Sequence, residues 1–170
     1  YSQGRYKDAE SLVRYALSIT EKTLNSNHPR TAGRLNNLAK ILRIQGHYKD
    51  AEALYLRALN IKEQAKEIGP DHPSTATSLN NLAEVLESQG RYSEAEDLHR
   101  RALAITEKVF GPEHLEVAES FVYLASSLEF QGHYKDAESL YRRALIIKER
   151  ALGVEHLVIA NNINKLAGAV

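Results

Sequence analysis

Histidine is the residue whose number and spacing first invite a chemical reading of this sequence. Seven are present, and four of them, His28, His72, His114 and His156, recur at steps of 44, 42 and 42 residues. A tetrahedral metal centre needs imidazoles converging to within about 2 Å of one ion. Groups that return once per repeat of a helical stack lie on the order of 10 Å apart instead, the spacing of packed helices. The four therefore read as linker-packing residues, and no metal site is expected. His47 and His133 stand in turns where other copies carry Arg5 and Arg91, which suggests exposure, and His99 takes a position held elsewhere by Tyr55 and Tyr141, which suggests a partly buried packing residue. Gly-x-Ser-x-Gly, His-Glu-x-x-His, Gly-x-x-x-x-Gly-Lys-Ser/Thr and cysteine are all missing from the sequence. Without an activated nucleophile, a metal cluster or a phosphate-cradling loop, the sequence predicts a protein that is not an enzyme and needs no cofactor.

Composition narrows the partners. Lys+Arg and Asp+Glu both total 22, and 43% of the 170 residues are apolar. A chain of zero net charge has no global field to draw in nucleic acid or an anionic membrane. The tracts Tyr141-Arg142-Arg143-Ala144 and His99-Arg100-Arg101-Ala102 have Glu or Asp nearby on the same helix, so they read as solvated faces with i,i+4 pairs rather than a nucleic-acid patch. No apolar run approaches the roughly 18 residues of a membrane span. The lack of cysteine fits a reducing compartment, and the cytoplasm is the expected location.

The elements behind these residues are repeats. Gln-Gly followed two residues on by Tyr occurs at Gln3-Gly4-Tyr6, Gln45-Gly46-Tyr48, Gln89-Gly90-Tyr92 and Gln131-Gly132-Tyr134. Each is followed by Ala-Glu (Ala9-Glu10, Ala51-Glu52, Ala95-Glu96, Ala137-Glu138) and then by Ala-Leu. Inside a copy, Leu35, Leu38, Ala39 and Leu42 fall on one helical face, and Ala51, Leu54, Tyr55, Ala58 and Ile61 on another. Seven of the nine glycines sit at recurring junctions: Gly4, Gly46, Gly90 and Gly132 between first and second helix, and Gly69, Gly111 and Gly153 after the second. His-Pro at 28–29 and 72–73 marks a helix start, with Asn27 or Asp71 as an assisting cap. Helices are predicted over about 5–24, 29–45, 48–68, 73–89, 92–110, 115–131, 134–152 and 157–170. Recurring alanines (Ala39, Ala83, Ala125 and Ala167; Ala51, Ala95 and Ala137) allow close backbone approach, and Tyr48, Tyr92 and Tyr134 are expected to fill the wedge beside them. The class is all-α, one array over 1–170.

The unit Leu35-Asn36-Asn37-Leu38-Ala39, Gln45-Gly46-His47-Tyr48-Lys49-Asp50-Ala51-Glu52 and Tyr55-Leu56-Arg57-Ala58-Leu59 resembles the tetratricopeptide repeat. Its length and its Gly-Pro-Asp-His-Pro linker resemble the 42-residue kind found in kinesin light chains. The resemblance implies an α-α superhelix, a right-handed solenoid of helix-turn-helix repeats, acting as a scaffold that holds a protein or peptide segment in a concave groove lined by first helices. The groove stripe it implies runs through Gly33, Asn37, Lys40 and Ile44, then Thr77, Asn81, Glu84 and Ser88, then Glu119, Tyr123, Ser126 and Phe130, and finally Asn161, Lys165 and Gly168. Paired asparagines in the Leu-Asn-Asn-Leu-Ala signature would hold the ligand backbone; the signature stands at 35–39 and 79–83 but becomes Phe121-Val122-Tyr123-Leu124-Ala125 and Ile163-Asn164-Lys165-Leu166-Ala167 in the later copies. Tyr123 and Phe130 would receive an apolar or aromatic side chain. Lys40 and Arg43 make one end basic, whereas Glu84, Glu87, Glu119 and Glu129 argue for a neutral or basic ligand over the middle.

An alternative role is a structural spacer that stacks head to tail. Joined tail to head, Leu166-Ala167-Gly168-Ala169-Val170 and Tyr1-Ser2-Gln3-Gly4 continue in the register of Leu82 to Gly90. The sequence thus reads as a fragment of a longer array. Ile159, Ile163, Leu166 and Val170 at one end, and Ala9, Leu12, Val13 and Ala16 at the other, are the surfaces expected to meet.

Overall fold

The computed structural model describes the backbone from Ser2 to Gly153 and side chains from Tyr6 to Gly153. Seven helices follow one another: α1 Ser2–Leu24, α2 Pro29–Ile44, α3 Tyr48–Gln64, α4 Pro73–Glu87, α5 Tyr92–Phe110, α6 Leu115–Phe130 and α7 Tyr134–Leu152. There is no strand among the described residues. The helix expected over 157–170, with His156, Ile159, Asn161, Ile163, Lys165 and Gly168, lies outside them. The chain divides into two compact units, residues 1–90 and 91–170. In the first, α1 packs on α2, α2 on α3 and α3 on α4, and α2 also reaches α4; in the second, α5 packs on α6 and α6 on α7.

Small residues let these helices approach. Ala39, Ala51, Ala58 and Ala83 in the first unit and Ala95, Ala102, Ala125, Ala137 and Ala144 in the second are fully buried. Ala32, Leu35, Ala58 and Ile61 form one core cluster between α2 and α3, with Leu17 of α1 and Leu54 against it. Val117, Ala118, Phe121, Ala144 and Ile147 form its counterpart between α6 and α7. The wedge beside the alanines is filled by Tyr55, His99 and Tyr141, all at most 1% exposed. Of the expected wedge residues Tyr92 is half-buried, and Tyr48 and Tyr134 are exposed. They are the first residues of α3 and α7, before the helices meet, so the aromatic residue one heptad further on does the packing. His99 is accordingly buried completely rather than in part.

Helix ends explain the punctuation. After α2 the Gly46 N–H donates to Arg43 O at 3.0 Å and the His47 N–H to Leu42 O at 2.9 Å. Gly46 adopts φ +83° to allow this, a conformation that suits glycine. Gly4 is the exception, because α1 runs through it; continuing a helix through a glycine costs only about 1 kcal/mol. The two residues that lengthen the second copy do not extend α3 to 68. Ala65 leaves the helix in an extended conformation, and the turn closes through Ile68 N–H to Ala65 O and Gly69 N–H to Lys62 O.

The recurring histidines begin the first helices. Nδ1 of His28 accepts the Arg30 N–H at 3.1 Å, that of His72 accepts the Ser74 N–H at 3.1 Å, and that of His114 accepts the Glu116 N–H at 3.2 Å. Each imidazole is therefore the N-cap itself, a role expected of Asn27 or Asp71, and it satisfies one of the otherwise unpaired donors of the first turn. Thr31 and Thr75, one turn on, donate back to Asn25 O and Gly69 O and fasten the linker to the helix.

Candidate functional site

On the first helices this packing leaves one stripe of residues outward. In the first unit Gly33, Asn37, Lys40 and Ile44 on α2 are exposed; on α4 Thr77 and Ser88 are exposed or nearly so, and Asn81 and Glu84 are half-buried. In the second unit Glu119, Tyr123 and Phe130 on α6 are exposed and Ser126 half-buried. Their inward neighbours Leu35, Leu38, Leu79, Leu82, Phe121 and Leu124 are buried. Helical geometry forces this division, since residues three and four apart share a face.

The paired asparagines have separate roles. Asn36 is half-buried and its Nδ2 donates to Ser78 Oγ of α4 at 3.2 Å, whereas Asn37 points outward. Ser78 is fully buried and also receives Lys62 Nζ at 2.8 Å, which in turn donates to Ser74 O at 2.7 Å. A polar knot thus ties α2, α3 and α4. Burial holds the Lys62 ammonium below the ordinary lysine range. In this pair only the second asparagine is available to a ligand.

The repeating Gln and Glu have a purpose that their recurrence alone signals. Gln45 Nε2 donates to Glu10 at 3.1 Å, Gln89 to Glu52 at 2.8 Å, and Gln131 to Glu96 at 2.6 Å. In each, the glutamine of the Gln-Gly turn clasps the glutamate of the preceding Ala-Glu. Glu10 is held below the usual carboxylate range by its hydrogen bond from Arg14 and then by Gln45. For Glu96 burial pushes upward, but the hydrogen bonds from Gln131 and Arg100 together outweigh it and the carboxyl is lowered.

Several charges on the stripe are paired within their own unit. Glu84 bonds Arg43 at 2.8 Å, Glu119 bonds the buried Lys148 at 2.6 Å, and Glu129 accepts the Tyr141 hydroxyl at 2.9 Å. Glu84 and Glu119 thus each meet a cation of their own unit, and Glu129 a neutral donor. Arg43 is likewise ion-paired, while Arg30, Arg34 and Lys40 of α2 have no ion pair among the described residues. In the second unit the aromatic residues are partnered: Phe130 stacks on Tyr92 with centroids 5.2 Å apart, and Tyr123 on His99 at 5.6 Å. Phe130 nevertheless leaves 60% of its surface exposed.

On α1, Leu12, Tyr15 and Ile19 are 69, 67 and 44% exposed, whereas Ala9, Val13 and Ala16 are half-buried. Of the expected strip, Leu12 is bare, while Tyr15 and Ile19 take the place of Ala9, Val13 and Ala16. No helix among the described residues is long and apolar enough to cross a membrane.

Comparison with known proteins places this geometry. The tetratricopeptide repeat family matches residues 1–64, 62–108 and 74–150. Among solved structures, a Podosopora anserina protein described as a kinesin light chain with nearly identical TPR-like repeats superposes with a TM-score of 0.81 at 28% identity, covering 99% of this chain and 79% of that one. A substituted form of the same protein gives 0.82 at 28% identity, covering 99% and 78%. BtubC (BKLC) from P. vanneervenii gives 0.84 at 23% identity, covering 99% of this chain and 66% of its own, which speaks to fold alone. No curated protein matches the sequence. Repeats of this kind generally serve as protein-interaction scaffolds. The chain belongs to the tetratricopeptide repeat family, in the kinesin-light-chain-like form of the all-α superhelical solenoid.

Proposed function

We propose that this protein is a non-catalytic interaction scaffold that holds a peptide or protein segment against the outward stripe of its first helices. One observation carries the reading. Positions that build the frame are alike and buried from copy to copy, while those that face outward differ in chemistry: Gly33, Thr77 and Glu119; Asn37, Asn81 and Tyr123; Lys40, Glu84 and Ser126; Ile44, Ser88 and Phe130. Asn37 and Asn81 each offer one acceptor and two donors, the complement of an extended backbone. Asn161 and Lys165 continue the same sequence register. Peptide-array binding to the 170-residue chain tests the proposal, with Asn37→Ala and Asn81→Ala as variants. Loss of binding in the double variant at unchanged circular dichroism is the expected result, and undiminished binding would refute it.

The exposed strip Leu12, Tyr15 and Ile19 favours a second reading, in which copies stack head to tail with residues 157–170 of one chain against α1 of the next. The apolar residues Leu54 and Ile61 of α3 are, by contrast, packed in the core it shares with α2. Sedimentation should then show association that rises with concentration and disappears in Leu12→Glu; a monomer throughout the range would exclude it.

A further inference from the structure

The helices that carry the stripe, α2, α4 and α6, each begin on an imidazole that accepts a backbone N–H of the first turn. The backbone of His28, His72 and His114 is extended, with ψ of 142, 144 and 150°, which aims a cap side chain back at the helix. The second helices lack the device. His47, Arg91 and His133 precede α3, α5 and α7 with ψ of 61, 59 and 57° and make no side-chain cap bond. An asparagine or serine cap accepts at any pH near neutrality, whereas an imidazole Nδ1 accepts only while it carries no proton. Protonation turns the same atom into a donor facing the N–H groups of Arg30, Ser74 and Glu116, and it sets a positive charge at the positive end of the helix macrodipole. Histidine is also the side chain whose ordinary titration falls between about pH 5 and 8.

We infer that His28, His72 and His114 form an acid-sensitive switch on the stripe: mild acid uncaps α2, α4 and α6 together and leaves the starts of the second helices as they are. The loosened turns run straight into the stripe, whose first positions Gly33, Thr77 and Glu119 each lie five residues after a capping histidine. The charged groups around the caps come from several elements. Near His28 are Arg30 of its own helix and Arg57 of α3, which reaches Ser26 O at 3.3 Å and Glu21 of α1 at 2.6 Å. Near His72 are Asp71 and Lys62 of α3, whose ammonium donates to Ser74 O at 2.7 Å, and the Ser74 hydroxyl lies 2.9 Å from Nδ1 itself. Near His114 are Glu116 and the pair of Glu113 with Arg150 of α7, and the ring of Phe110 of α5 stacks on the imidazole at 4.6 Å. The remaining described histidines behave differently. His47 and His133 act on the carboxylates Glu10 and Glu96, which suit an imidazolium, and His99 is buried against Tyr123.

The test is solvent-exchange NMR on the 170-residue chain at about pH 7.5 and about pH 5.5, on either side of the histidine range, with rates corrected for the intrinsic pH dependence of exchange. Protection of the Arg30, Ser74 and Glu116 amides should fall by about fivefold in acid, the scale of a lost N-cap. The Ala51, Ala95 and Ala137 amides, which open the second helices on the carbonyls of His47, Arg91 and His133, should hold theirs. His28→Asn/His72→Asn/His114→Asn supplies caps that do not titrate in this range and keeps His47, His99 and His133, so its three first-turn amides should stay protected in acid. Each single His→Asn variant reads at its own amide, and the result therefore does not hang on the triple variant folding. Wild-type protection that is the same at both pH values would overturn the switch. So would a loss of equal size in the asparagine variants, which would place the titrating group elsewhere, or an equal loss at Ala51, Ala95 and Ala137, which would make the loosening general.

Discussion

Replacing Gly33 with glutamate should stabilise the protein, and the reason comes from another copy of the repeat. Gly33 and Lys62 occupy the register of Glu119 and Lys148, which are bonded at 2.6 Å with the lysine only 5% exposed. Lys62 is also buried but donates only to a serine hydroxyl and a carbonyl. Gly33→Glu removes a helix-interior glycine, a gain of about 0.5 kcal/mol. It also supplies the missing carboxylate, contributing about 1 kcal/mol, at the upper end of measured exposed pairs because one partner is shielded. The sum of about 1.5 kcal/mol should raise Tm by roughly 3–6 °C in a chain of this size. Urea denaturation of the single variants and of Gly33→Glu/Lys62→Met isolates the pair, with an expected coupling of about 1 kcal/mol. There is a pH signature as well. Because burial lowers the folded-state pKa of Lys62, the unfolded chain holds more protons between that value and the ordinary lysine value of about 10.4, and stability rises with pH across this window. The new carboxylate moves the folded value back up, so the rise should shrink. A coupling indistinguishable from zero, with an unchanged alkaline limb, would refute the register argument.

Three further outcomes follow from the same contacts. His72→Ala should cost about 1 kcal/mol through loss of the cap on α4, measurable in urea, with His72→Asn retaining most of the stability. Phe121→Ala should cost about 3–5 kcal/mol, since the ring is fully buried and also carries the Arg143 guanidinium 4.2 Å above its centroid. Gln131→Ala should lower stability by about 1 kcal/mol at neutral pH. Because the folded-state pKa of Glu96 is lowered, that contribution is present above about pH 4.3 and is lost as pH falls through the folded value, so wild type and variant should converge in acid.

Much of the fold is legible in the sequence because it repeats. Leu35, Leu38, Ala39 and Leu42 mark a buried face at helical spacing, and all are at most 4% exposed. The glycine after α2 marks a turn, and it has the positive φ that such a turn needs. What escapes is of two kinds. Histidine falls outside the short polar set that usually caps helices, so His28, His72 and His114 read as packing residues although their regular return is visible. Pairing across the stack also escapes, because a one-dimensional chain does not show which acid meets which base. Glu84 is open to a ligand on sequence grounds and closed by Arg43 in the fold, and Arg30 and Arg34 are unremarkable in the sequence but border an open pocket with no carboxylate partner among the described residues. Periodicity supplies the face of the first-helix stripe but not its charge.

The three glutamine–glutamate clasps also bear on how such a chain finds its own order. Gln89 meets Glu52 with the same atoms that Gln45 brings to Glu10. Nothing in that chemistry distinguishes the neighbouring glutamate from one a whole repeat away, or from one on another molecule. Correct sequence of assembly is then enforced by tether length: three residues separate α2 from α3 and four separate α1 from α2, too short to let a helix reach past its neighbour. During refolding at high concentration, where another chain's glutamate is as near as its own, the expected errors are therefore exchanges of whole hairpins between molecules rather than scrambled helices within one.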